Sequence, residues 1–117
     1  DVKVYGEVYK GMTLIAGAQL EFYADKEATQ LIGTTTSDEN GEYELMLPLD
    51  MTLDPFHIGR YKGQIWVEAY WVDAQGNKYS NVVSGESRSL GTFYESSIEA
   101  RGGIASSVWL LSSPTNW

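Results

Sequence analysis

Apolar and polar residues alternate along most of this chain, and a period of two predicts strands rather than helices. In residues 1–10, Val2, Val4 and Val8 share one face, with Lys3, Tyr5, Glu7 and Tyr9 on the other. Gly6 in their midst predicts a bulge or a close neighbouring backbone. A second strand over 18–24 sets Ala18, Leu20 and Phe22 against Gln19, Glu21 and Tyr23. A third covers 30–37. A fourth covers 42–47, with Tyr43, Leu45 and Leu47 on one face and Glu42 and Glu44 on the other. Pro48 has no N–H for a ladder and ends it. Between the third and fourth strands, Asn40-Gly41 predicts a tight hairpin, because both central residues of a type I′ turn need positive φ.

Residues 49–62 break the alternation with Pro55, Gly59 and the only histidine, His57. They read as a long connection between sheets, with Met51, Leu53, Phe56 and Ile58 plugging one end of the core. The strongest strand is 63–72. It carries Ile65, Val67, Ala69 and Trp71 on one face and Trp66, Glu68, Tyr70 and Val72 on the other. Apolar residues on both faces predict a central strand or a covered outer surface. A second hairpin turn at 73–77 leads into a strand over 78–84. Short strands are expected at 90–94 and 97–99, a turn or an unpaired linker at 101–103, and a last strand in 106–112 around Val108-Trp109-Leu110-Leu111. Residues 113–117 form a tail. No segment holds a 3.6-residue period over a helical length, and no repeat is visible. The fold expected is all-β: a single antiparallel β-sandwich of seven to nine strands over 1–112.

The length of 117 residues suits one domain. Four Trp, eight Tyr and three Phe, within 43% hydrophobic content, can supply a core without disulfides. The absence of cysteine removes thiol nucleophiles and thiolate metal sites. A net charge of −8 with scattered Lys and Arg argues against nucleic-acid partners and anionic membrane surfaces. No apolar run approaches a membrane span. No leader segment is visible ahead of the first strand, so a processed or excised domain is expected.

Candidate chemistry is sparse. Nucleophilic catalysis needs a base beside the nucleophile. His57, next to Phe56, reads as a partly buried polar residue bonded to backbone, and no Gly-x-Ser-x-Gly elbow is present. Glu42 and Glu44 share a strand face, as a solvated surface does. Asp38, Asn40 and Glu42 crowd oxygen ligands at a turn, which suits Ca²⁺; turn chemistry explains the same residues. The reading is non-enzymatic, without a cofactor, calcium being the one candidate.

Several segments carry a family resemblance. Val4-Tyr5-Gly6-Glu7-Val8, then Ile15-Ala16-Gly17-Ala18-Gln19-Leu20, then Thr34–Ser37 leading into Asp38-Glu39-Asn40-Gly41-Glu42-Tyr43-Glu44-Leu45 and Leu47-Pro48, resemble the carboxypeptidase regulatory-like domains. Those belong with transthyretin-like (prealbumin-like) β-sandwiches, alongside the collagen-adhesin B-type modules of pili. The resemblance spans residues 2–48, more loosely 63–84. Ile15-Ala16 stand where those domains commonly have a Pro before the Gly-Ala step. It implies a prealbumin-like sandwich used outside the cytoplasm as a spacer, adhesive repeat or accessory domain. The adhesin relatives also imply a test for an internal isopeptide bond, for which Lys3, Glu68 and Asn116 stand in the required order.

These readings converge on an extracellular or cell-surface structural module that assembles with copies of itself or neighbouring domains, as a filament or pilus-like subunit does. Pairing of terminal strands would supply the contacts. Val2, Val4, Val8, Val108, Trp109 and Leu111 are the contact candidates, with Trp66, Trp71 and Trp117. The same terminal strands can instead complete their own sandwich. The alternative function is an accessory carbohydrate- or protein-binding module using Trp66, Tyr70 or Trp71, since exposed aromatics stack on sugars.

Overall fold

The computed structural model describes residues 1–82 and 87–112. The end of the expected strand 78–84, together with Asn116 and Trp117, falls outside them. The described strands are β1 (Val2–Lys10), β2 (Thr13–Leu14), β3 (Gln19–Tyr23), β4 (Leu31–Thr36), β5 (Glu42–Leu47), β6 (Thr52–Leu53), β7 (Tyr61–Val72), β8 (Lys78–Ser80) and β9 (Arg88–Tyr94). A short helix α1 (Glu95–Arg101) follows, then β10 (Ile104–Ala105), β11 (Val108–Trp109) and β12 (Leu111–Ser112). The molecule is an all-β sandwich of two packed sheets.

β1 is the spine of the first sheet. It pairs antiparallel with β5 from Val2↔Leu47 to Glu7↔Glu42, and with β2 through Tyr9↔Leu14. Its other edge takes β10 and β11 in parallel. β7 is the spine of the second sheet. One edge carries β6 and β3, and the other β9 and β8. β4 joins outside β3 and β12 outside β8. Between β9 and β8, the buried Asn81 side chain serves the β7 edge: its amide oxygen accepts from Ala69 N–H at 2.7 Å and its amide donates to Val67 C=O at 3.1 Å. Backbone groups that no strand reaches are thereby satisfied.

The alternation read from the sequence is the alternation of burial. Val4, Val8, Leu20, Phe22, Leu47, Ile65 and Val67 are fully buried between the sheets. Each removes about 1.5–3 kcal/mol worth of apolar surface from water. Gly6 is required by a close approach, because a Cβ there would stand 1.7 Å from the Ser106 carbonyl oxygen.

Four expectations are corrected. First, the Asn40-Gly41 turn does not join two strands of one sheet. β4 pairs with β3 and β5 with β1, so the turn is a corner between the sheets. Gly41 alone has positive φ, at 77°, with its N–H on Asp38 C=O. That is a type I turn closed by a left-handed glycine rather than type I′. Second, Leu53, Phe56 and Ile58 do not plug the core; all three are exposed. Third, residues 97–99 lie in α1, with Glu95 in the first turn, Arg101 in the last and Gly102 closing it at φ 73°. Two turns are too short to register a period. Fourth, residues 106–112 form two short strands rather than one. β11 pairs with β1, the buried Leu110 donates to Tyr9 C=O at 2.7 Å, and β12 then pairs with β8 in the opposite sheet.

Candidate functional site

The Asp54 side chain gathers partners from its own loop and from β9, across the fold. Its carboxylate is 2% exposed at the base of the loop between β6 and β7. The loop is closed by Asp54 N–H to Arg60 C=O at 2.8 Å, and Pro55 and Gly59, at φ 78°, shape its bend. Asp54 accepts from Phe56 N–H at 2.9 Å, the Tyr94 hydroxyl at 2.8 Å and the His57 ring Nδ1 at 2.8 Å. Lys62 Nζ stands 3.8 Å away. The Arg60 guanidinium covers the Tyr94 ring at 4.2 Å, and His57 meets the same ring edge-on. The Phe56 N–H bond outweighs the upward push of burial. With the donors from His57 and Tyr94 and the charge of Lys62, it holds the Asp54 carboxyl well below the usual carboxylate range. The bond to Asp54 in turn raises the Tyr94 hydroxyl.

This cluster fixes a loop. The His57 side chain is 53% exposed, and its described partners are Asp54 and Tyr94. Its bond runs to a carboxylate and not to backbone. The result is a clasp that holds Phe56 and Ile58 outward, where they are almost wholly exposed. Leu53 and Tyr61, paired across β6 and β7, add apolar surface beside them. The sequence signals the loop through Asp54-Pro55 and Gly59, but not the clasp, because Tyr94 is 40 residues away.

A second apolar surface stands at the other end of the sheets. The register aligns Leu14, Tyr9 and Trp109 across β2, β1 and β11 on the outer face. Tyr9 and Trp109 stack at 5.6 Å. Leu14 and Trp109 are exposed, and Met12 projects from the adjoining turn. Lys10 Nζ lies 5.0 Å from the Tyr79 ring of β8, which ties this end to the far end of β7. β7 is about 36 Å long at the usual strand rise, within a molecule of 52 × 28 × 21 Å.

The contact candidates divide. Val4, Val8 and Val108 are buried in the chain's own core, with Val2 and Trp71 packed partly against it. Trp109 and Leu111 are exposed, and Trp66 is half-buried on the outer face of β7. β1 is paired on one edge with β5 and β2 and on the other, at Val4–Tyr5 and Val8–Tyr9, with β10 and β11.

At Asp38, Oδ1 accepts from Asn40 N–H and Glu42 N–H, each at 2.9 Å. Asp73 repeats this with Gln75 and Asn77. Among the described residues, no group of three or more His, Asp or Glu side chains is placed to hold a metal ion. Lys3 and Glu68 are on opposite outer faces, since their neighbours Val4 and Val67 fill the core from the two sheets. Lys3 pairs with Glu44 at 2.9 Å. The isopeptide arrangement, which needs a lysine and an acid buried together, is not formed by these two. No helix among the described residues is long and apolar enough to cross a membrane. Comparison of the chain with protein-family models, curated proteins and solved structures finds no match.

Proposed function

We propose that this protein is a non-catalytic structural module of the cell surface that assembles end to end with copies of itself. One observation carries the reading: an elongated sandwich bears exposed apolar residues at both ends, and the two surfaces differ. At one end Phe56 and Ile58 project on a clasped loop. At the other, Leu14, Tyr9 and Trp109 form a flat apolar row. A contact between two different surfaces at opposite ends repeats without closing and builds a filament. The resemblance of residues 2–48 to carboxypeptidase regulatory-like and pilus modules supports the same reading.

The contact differs from exchange of terminal strands. In an exchanged filament, β10–β12 of one copy would pair with β1 and β8 of the next, using between chains the bonds now made within one. The end-to-end contact leaves each sandwich intact. It is weak per interface, because burying two side chains yields about 3–6 kcal/mol before the entropy of association is subtracted.

Sedimentation velocity and negative-stain microscopy over a concentration series test the reading. The expected result is a concentration-dependent series of oligomers growing in one dimension. Phe56→Ser with Ile58→Ser is expected to abolish the series while leaving the unfolding midpoint within about 0.5 kcal/mol of the parent. A parent chain that stays monomeric to millimolar concentration, or a double variant that assembles as the parent does, would refute it.

A further inference from the structure

We propose that the outer face of β3 and β7 binds a neutral pyranose glycan, with Trp66 as the stacking platform and Glu21 and Glu68 as acceptors for sugar hydroxyls. Ile65, Val67 and Ala69 fill the core, so the alternate residues of β7, Trp66, Glu68 and Tyr70, face outward. The register sets Tyr23 across from Trp66, Glu21 across from Glu68 and Gln19 across from Tyr70. Aromatic rings therefore stand on either side of a pair of carboxylates. Trp66 and Tyr70 are about 13 Å apart along the strand, far enough to take more than one sugar ring. Trp66 and Glu68 also line an open cleft of about 490 Å³, with Lys26, Glu27, Arg88 and Ser89 around them.

The chemistry of this face selects its ligand. The apolar C–H face of a pyranose packs on an indole, and its hydroxyls need acceptors. A carboxylate has about four acceptor positions. The Tyr70 hydroxyl donates to Glu68, which fixes that carboxylate and leaves acceptor capacity toward solvent. Like charges directly across a strand pair are unfavourable, and sugar hydroxyls donated to both would relieve the repulsion. Glu21, Glu27 and Glu68 outnumber Lys26 and Arg88 here, so uronates and sulfated or phosphorylated sugars would add negative charge to an already negative surface on a chain of net charge −8. The site is therefore one for neutral sugars, and it is separate from both apolar ends.

Affinity electrophoresis and tryptophan fluorescence of the whole chain test this, with hydroxyethyl cellulose, mixed-linkage β-glucan, xylan and soluble starch as neutral probes and polygalacturonate as the anionic one. At least one neutral polymer is expected to retard the chain and shift its fluorescence, and polygalacturonate is not. Trp66→Ala is expected to weaken that binding about tenfold, Trp66→Phe to weaken it less, and Glu68→Gln to weaken it severalfold. The Phe→Ser change at position 56, remote from this face, should leave it unchanged. Should the alanine variant fail to fold, the Phe and Gln variants carry the test. Failure of every neutral probe, equal binding of polygalacturonate, or undiminished binding by folded Trp66 variants would overturn the proposal.

Discussion

Asp25, Asp38, Asp54 and Asp73 each turn a carboxylate onto backbone N–H groups of the next few residues. This is the local bonding that suits Asp to turns. It accounts for the acids at the corners without a metal ion. The sequence pointed to turns at Asp38 and Asp73, but it could not single out Asp54, whose remaining partners come from across the fold. The carboxyls of Asp25, Asp54 and Asp73 are all held below their ordinary range. At Asp25 the Thr29 hydroxyl is the main cause; at Asp54, the Phe56 N–H; at Asp73, donors led by the Asn77 side chain overcome burial. A depressed carboxyl contributes stability that is present above its unfolded pKa of about 3.9 and lost as pH falls through the lower folded value. Urea midpoints should thus be flat from pH 7 to 5 and fall steeply below about pH 4. Asp54→Asn should lower the midpoint at pH 7 and make the acid decline shallower. A variant that keeps the parent's acid slope would show that the clasp is not part of that dependence.

At the scale of elements, periodicity was legible where strands are half-buried and run five residues or more. β1, β3, β5 and β7 have the inward and outward faces their alternation predicts. Legibility fails where an element is short or where the chain changes sheet. Apolar residues in the loop before β7 suggested a plug, because hydrophobicity alone cannot distinguish a core residue from one held out on a clasp. The Asn40-Gly41 turn suggested a hairpin, because turn chemistry fixes the local bend and not the sheet that receives each arm. At residues 108–111 a continuous apolar run hides a sheet change, with Leu110 as the buried pivot between β11 and β12. Leu110→Ala should therefore cost about 2–5 kcal/mol. Trp109→Ser, on an exposed neighbour that stacks on Tyr9, should cost about 1 kcal/mol or less. Equilibrium denaturation of the two variants checks the contrast, and equal losses would mean that the pivot does not hold the sheets together.

At the scale of the whole molecule, shape and charge act on the proposed end-to-end assembly with opposite sign. The long axis separates the clasped loop from the Leu14–Tyr9–Trp109 row, and this favours linear growth over a closed dimer. The net charge of −8 opposes it, because every added copy brings like charge close to its neighbour. Repulsion between exposed charges is screened over a Debye length of about 10 Å at 0.1 M salt, shrinking to about 3 Å at 1 M. Apolar burial is not weakened by screening, and sulfate strengthens it by exclusion from the surface. The oligomer distribution should therefore shift upward from 0.01 to 0.5 M sodium chloride, and further when sodium sulfate replaces chloride at equal ionic strength. An interface built on ion pairs, with the Arg60 and Lys62 end meeting acids on the next copy, would give the reverse trend. Sedimentation velocity at a fixed protein concentration across the two salt series distinguishes them. A distribution that falls as salt rises would move the contact away from Phe56 and Ile58 and onto the charged residues around the clasp.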